Sequence, residues 1–336
     1  MFKLGTFSQT GKGRFAALVF NDQTVVNIAT TASIFNGKYP GFEKLTSASC
    51  VDDLLTEWER NFDALVTLAD LCRGSDEAQL STFTFALTDL RTLPPVIRPG
   101  KLVCHAQNYA DHVMEMRRSQ FGSTNLDLSK DFMGEKSKTW PYAFLKATSA
   151  LTGAYDEIEL PDGHPEIDWE AEMAIVIGTR GKKITEGNAM RHVAGLMSFN
   201  DVSCRDNLWR PDRVTLRSDW FAAKSFDTFA PAGPFLVPLA FIDDHMDLRI
   251  TLSVNGELMQ NGSTAGLIFS PEEQISFFSK SMTWFPGDML ATGTPAGTGQ
   301  GVGKFLQPGD VVETEIAGLG VQRNRCVAQR DQQSEE

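Results

Sequence analysis

The sequence has little that would commit it to a membrane, to nucleic acid or to an oxidising compartment. Its longest apolar runs, such as Met173-Ala174-Ile175-Val176-Ile177, fall far short of the ~20 residues that a spanning helix needs. Positive charge is scarce: 31 Lys and Arg stand against 43 Asp and Glu, a formal net of −12. An acidic surface repels phosphate backbones and anionic headgroups, so neither a nucleic-acid nor a membrane partner is expected. The five cysteines (50, 72, 104, 204 and 326) are scattered, odd in number and without CxxC spacing. They predict reduced, mostly buried thiols rather than a disulfide framework or a zinc site. The first residues, MFKLGTFSQTGKGRF, hold no continuous apolar core and no small-residue cleavage site, so a signal peptide is not expected and a cytoplasmic location is. No internal repeat of fixed period is visible. What is present is ordinary for a globular chain: 42% hydrophobic and 22% charged residues, enough for a sizeable core.

Along the chain, Arg14–Phe20 and Thr24–Ile28 read as short strands around an Asn21-Asp22 turn. Residues 51–73 place Leu54, Leu55, Trp58, Phe62, Leu65, Val66, Leu68 and Ala69 at spacings of three and four, which predicts an amphipathic helix. The stretch Leu93-Pro94-Pro95-Val96-Ile97-Arg98-Pro99-Gly100 is a stiff connector. A small β-rich N-terminal domain over 1–95 and a larger, mainly β catalytic domain over 96–330 are therefore expected. Residues 117–140 are polar and interrupted by Gly122 and Gly134, which predicts a mobile insertion. Asn255-Gly256 marks a hairpin, because both residues tolerate positive φ, and Pro271–Ser281 is predicted as an amphipathic helix.

Four clusters can carry chemistry. In Ile167-Asp168-Trp169-Glu170-Ala171-Glu172, the two glutamates share one strand face with Cα atoms roughly 7 Å apart, so both can turn to one hard cation such as Mg²⁺. A solvated strand end is the competing account; the apolar continuation of that face and the absence of interleaved Lys or Arg favour the metal. His112 and Glu115, at i and i+3, either form a surface pair or wire an imidazole as a general base. Asp201 and Arg205 form either an internal ion pair or a third metal ligand beside a guanidinium that clamps a substrate carboxylate. Lys146 and Lys224 end apolar runs, the usual place of snorkelling surface lysines. The glycine-rich run 293–304 fits neither a P-loop nor a GxGxxG register. It is expected instead to be a tight loop whose amides and threonine hydroxyls face a pocket.

Taken in order, NYADHVMEM, PYAFLK, IDWEAEMAIVIG, FNDVSCRD, AKSFDTFAPAGPFLV, SVNGELMQ and PGDMLATGTPAGTG, over roughly residues 100–320, resemble the fumarylacetoacetate hydrolase superfamily, in its two-domain bacterial branch. The resemblance implies a mixed β-roll catalytic domain in an α+β, mainly β chain, a homodimer, and one Mg²⁺ or Mn²⁺ per site. By motif position it implies Glu170, Glu172 and Asp201 as metal ligands and His112, Glu115 and Lys146 as catalytic residues, Lys146 donating a proton. It implies Arg205, Lys224 and Thr294 as substrate-binding residues. The segment after His112 corresponds to a lid. The implied activity is hydrolysis of a C–C bond in a 2,4-dioxo acid of the acylpyruvate type, from aromatic or sugar-acid catabolism. The alternatives are a decarboxylase, isomerase or hydratase working through the same metal-enolate chemistry on an oxo-acid, or a catalytically silent ligand-binding relative. Two positions depart from the family pattern: Cys104-His105-Ala106-Gln107 before Asn108-Tyr109, and Leu208 three residues after Arg205.

Overall fold

The computed structural model describes residues 1–11, 13–39, 41–75, 82–121, 136 and 139–329. The chain begins with a meander of strands Lys3–Ser8, Arg14–Phe20 and Thr24–Asn27, turned at Asn21 (φ 52) and Asp22 (φ 56). Thr84–Ala86 and Arg91–Leu93 complete the sheet at its two edges. Strand alternation divides its side chains between two cores. Leu4, Leu18 and Val26 join the main core with Leu65 and Leu68 of the helix Trp58–Gly74. Phe7, Ala17, Val19 and Val25 form a smaller cluster with Phe235.

The single helix expected over 51–73 is two helices, Val51–Leu55 and Trp58–Gly74. Between them the Thr56 hydroxyl donates to the Asp53 carbonyl and Glu57 leaves helical geometry (φ −132, ψ 55). The break turns Trp58 inward, where its ring meets Phe62 at 5.2 Å between centroids and lies so close to Gly178 that a Cβ there would fall 2.7 Å from it.

The rest of the chain is built on two sheets packed face to face. The larger runs, in spatial order, Ala143–Leu145, Leu102–His105, Met289–Ala291, Ala171–Ile177, Val193–Asn200, Ala230–Ala232 and Leu151–Gly153, with Val237–Pro238 added beside Val193–Asn200. The second runs Glu257–Ser263, Arg249–Val254, Val311–Ile316, Gly320–Ala328 and Ile158–Leu160. Strands 171–177 and 193–200 cover strands 249–254, 311–316 and 320–328. Every residue of 171–177 is buried, as befits a strand covered on both faces. The hairpin at Asn255 (φ 53) and Gly256 (φ 80) and the helix Pro271–Ser281 form where the sequence places them; the helix is fixed by a capping box between Ser270 and Glu273. All five cysteines are free and buried. No helix among the described residues is long and apolar enough to cross a membrane. Of the expected insertion and lid at 117–140, residues up to Phe121 end the helix Ala110–Phe121, and 122–135, 137 and 138 lie outside the described residues.

Candidate functional site

The predicted strand through Glu170 is interrupted. Ile167-Asp168 pairs with Ser203-Cys204, and the long strand resumes at Ala171. The Asn200 side-chain oxygen accepts from the Glu170 amide at 2.9 Å and spans the gap. Glu170, Glu172 and Asp201 nevertheless converge, with one oxygen of each within 4.8 Å of the others, all buried. The cations absent from the strand itself arrive from other segments. Lys224 donates to Glu170 Oε2 and Asp201 Oδ2, both at 2.7 Å. Lys146 donates to Asp201 Oδ1 at 2.5 Å and to the carbonyls of Val202 and Phe229. Neither lysine snorkels; they are 1% and 2% exposed. Arg205 does not pair with Asp201: it forks onto Asp168 and Glu170.

These partners set the electrostatics. Burial works to raise the Glu170 carboxyl, but Lys224 and Arg205 outweigh it and hold it far below the usual carboxylate range. Glu172 goes the other way. Burial, then the charges of Asp201 and Glu170, push it well above its ordinary value. Its Oε2 accepts from the Gly293 amide at 2.8 Å, and among the described residues no Lys or Arg pairs with it. A buried carboxylate between two others, short of one positive charge, suits a hard divalent cation bound through oxygen. Mg²⁺ and Mn²⁺ both meet that description.

The glycine-rich run faces protein carboxylates rather than a ligand. The Gly297 amide donates to Glu115 Oε1 at 2.8 Å, and the Thr298 hydroxyl to Glu115 Oε2 at 3.1 Å. The Gly299 and Gln300 amides donate to Asp168, which also receives the Trp169 amide and Arg205 Nε. Glycine is required sterically: a Cβ at Gly301 would sit 2.0 Å from Glu115 Cδ, and one at Gly297 (φ +98) 2.0 Å from the Met259 carbonyl oxygen. Glu115 in turn stands 3.5 Å from His112 Nδ1, which leaves His112 Nε2 as the ring nitrogen turned away from it. Burial works to raise Glu115, but His112 and the donors from the loop lower it overall.

A cavity of about 250 Å³ opens on the carboxylate cluster. Of the residues singled out from the sequence, His112, Glu170, Glu172, Asp201, Arg205, Lys224 and Thr294 line it; Glu115 and Lys146 stand behind that lining. The Thr294 hydroxyl donates to the Ala171 carbonyl at 2.9 Å and accepts from Gln260 at 2.8 Å, so it is already engaged within the protein. Phe144, Leu208, Trp209 and Trp220 form an aromatic and aliphatic wall, with Phe144 and Trp220 stacked at 5.0 Å. Arg217 and Gln107, the latter at φ 56, also line the cavity. Asp168, Gln260 and Asn108, all fully buried organisers, are not among the candidate residues of the sequence. Gln260 ties Ala171 to Thr294 and Pro295, and Asn108 ties Phe269 to Thr292. Their positions within IDWEAEM, SVNGELMQ and NYADH were the available signal.

Residues 101–327 match the fumarylacetoacetate (FAA) hydrolase C-terminal family. The chain is 42% identical over 262 residues to the bovine (Bos taurus) mitochondrial oxaloacetate tautomerase FAHD2B, covering 75% of this chain and 77% of that protein. It is 40% identical over 242 residues to the human (Homo sapiens) mitochondrial oxaloacetate tautomerase FAHD2A, covering 71% and 70%. Among solved structures, fumarylacetoacetate hydrolase from psychrophilic Exiguobacterium antarcticum superimposes with a TM-score of 0.71 at 28% identity, covering 98% of this chain and 100% of that one.

Proposed function

Because the chain belongs to the fumarylacetoacetate hydrolase family, we propose that it is a divalent-cation-dependent enzyme that interconverts the enol and keto forms of a small 2-oxo dicarboxylate of the oxaloacetate type. The observation that carries the reading is the buried carboxylate cluster of Glu170, Glu172 and Asp201 opening onto a cavity that His112 also lines. A divalent cation held by those three carboxylates, Mg²⁺ or Mn²⁺, supplies Lewis-acid polarisation of an oxo-acid's oxygens. The chain's own residues do the rest. In enolisation His112 Nε2 takes the C3 proton and delivers it to the C2 oxygen; in ketonisation it takes the enol O–H proton and delivers it to C3, with Glu115 3.5 Å behind Nδ1. Lys224 and Arg205 hold the carboxylates in place and are consumed in doing so. Among the described residues lining the cavity, Arg217 is the Lys or Arg not committed to that cluster, and it takes the substrate's second carboxylate. Lys146, enclosed by Asp201 and two carbonyls, acts as a positioning residue rather than a proton donor.

Hydrolytic C–C cleavage of an acylpyruvate is the second reading, supported by the same His112–Glu115 pair, which is also the wiring of a water-activating base. Enol ketonisation and acylpyruvate cleavage measured on one preparation at saturating Mg²⁺ separate the two. His112→Ala should lower ketonisation by on the order of 10²–10⁴ in kcat, the usual worth of acid–base catalysis. Vigorous cleavage with no ketonisation would move the assignment to the hydrolase. The reading further places the enzyme in a reducing, cytoplasmic compartment, supported by its five free thiols, although the two relatives carry mitochondrial names. It also takes the enzyme as a homodimer, supported by the exposed Trp140, Tyr142, Leu145 and Phe221; light scattering tests that state.

A further inference from the structure

A second cluster of ligating side chains lies beside the first and takes no part in the chemistry above. His164 Nδ1 is 2.8 Å from Asp206 Oδ2, and the Cys204 thiol donates to Asp206 Oδ1 at 3.1 Å. One ligand atom from each residue falls within 4.8 Å of the others. Two segments supply them, and the backbone holds those segments in register. Ile167 pairs with Cys204 and Asp168 with Ser203 in an antiparallel ribbon, and the Arg205 amide donates to the Glu166 carbonyl at 2.8 Å. Cys204 is fully buried, whereas the side chains of His164 and Asp206 keep 27% and 28% of their surface. The cluster thus has a dry sulfur at its base and an open side. The Phe226 ring, 5.8 Å from that of His164, backs the imidazole.

The arrangement does not make a nucleophile. The carboxylate touches both partners, so the imidazole is not the base of the thiol, and burial together with Asp206 pushes the thiol up to about 12. A cation changes the account, because thiolate, imidazole and carboxylate are the donors that a borderline-soft divalent metal takes, with water in the remaining tetrahedral position. We propose that His164, Cys204 and Asp206 form a second metal site, selective for Zn²⁺-like ions, distinct in donor chemistry from the all-oxygen Glu170–Glu172–Asp201 cluster. Binding expels the thiol proton and takes up the carboxylate that otherwise bonds His164 and Cys204. Arg205 lies between two of the ligands in sequence and clamps Asp168 and Glu170, so the site adjoins the catalytic carboxylates through one side chain. The scattered cysteines hide such a site from spacing rules, since its ligands come from two segments some forty positions apart.

The experiment is a Co²⁺ titration of the metal-stripped full-length protein, read by near-ultraviolet sulfur-to-cobalt charge transfer. One saturable thiolate band, displaced by Zn²⁺, is expected. Cys204→Ser should abolish the band, and His164→Ala, at a partly exposed position, should weaken Co²⁺ binding on the order of tenfold or more. Glu172→Gln should retain the band, which keeps this site distinguishable from the oxygen cluster. Cys104→Ala should retain it as well, excluding the buried thiol beside Asp201 and Glu172 as its source. Co²⁺ binding without a thiolate band, or a band that survives Cys204→Ser, would overturn the proposal.

Discussion

Replacing Lys224 by methionine removes one ammonium from two carboxylates while nearly conserving volume. Lys224 Nζ lies 2.7 Å from both Glu170 Oε2 and Asp201 Oδ2. At an effective dielectric of about 20, each contact is worth roughly 6 kcal/mol of attraction, offset by several kcal/mol of ammonium desolvation. Burial lowers the Lys224 ammonium's affinity for its proton, but Asp201 and Glu170 outweigh it and the net shift is upward, so pairing prevails. Breaking a buried pair from one side costs about 3–5 kcal/mol. The lower end applies here, because Asp201 keeps Lys146 and Glu170 keeps Arg205. With an unfolding entropy of about 2.1 cal/mol/K per residue, a loss of about 3 kcal/mol lowers Tm by roughly 4 °C. If the carboxylates also hold a divalent cation, saturating Mg²⁺ should recover more stability in Lys224→Met than in the wild type, since the cation supplies the missing charge. Thermal and urea unfolding of both proteins, stripped and Mg²⁺-loaded, give the answer. Equal stability of the two stripped proteins would refute the pairing argument. An identical Mg²⁺ response would refute the placement of the cation.

Three further outcomes follow from individual contacts. Gly301→Ala drives a methyl into Glu115, so kcat should fall on the order of 10²-fold with Tm unchanged; an undiminished kcat would make the orientation of His112 by Glu115 irrelevant. His105 is 3% exposed, packed on Phe269 and Phe278 with neither ring nitrogen bonded, and burial lowers it to about 4. Between an ordinary value near 6.5 and that value, the unfolded state binds the proton and the folded state does not. Stability should therefore fall by about 3 kcal/mol as pH drops through this window and be unaffected above it. His105→Phe should flatten that part of a pH series of urea titrations, and an unchanged slope would mean that His105 finds a proton partner. Arg217→Ala should raise KM for oxaloacetate about tenfold, roughly 1.4 kcal/mol of lost binding, while sparing monocarboxylate oxo-acids; equal effects on both would remove Arg217 from substrate recognition.

Much of the site was legible because local spacing carried it. Glu170 and Glu172 lie two residues apart and converge despite the strand break at Glu170, and His112 and Glu115 share a helical turn. The helix Pro271–Ser281 and the Asn-Gly hairpin were equally local. What the sequence concealed was long-range: which cation reaches which carboxylate. The resemblance implies Arg205 and Lys224 as substrate-binding groups; both line the cavity, and nothing in the sequence signals that they are also ion-paired to Asp168, Glu170 and Asp201. The glycine-rich loop likewise reads as one whose amides face a pocket, whereas those amides are taken up by Glu172, Glu115 and Asp168. The helix break before Trp58 escaped periodicity because the apolar spacing continues across it; the close fit of Trp58 against Gly178, set by a remote strand, accompanies that break.

On the proposed reading, a divalent cation on Glu170, Glu172 and Asp201 supports proton transfer on an oxo-acid. The most direct measurement is the rate of enol-oxaloacetate ketonisation against Mg²⁺ concentration, for the metal-stripped wild type and for Glu172→Gln. Saturable activation of the wild type with none in the variant is the predicted result. Equal Mg²⁺ activation of both, or full activity of the stripped wild type without any cation, would contradict it.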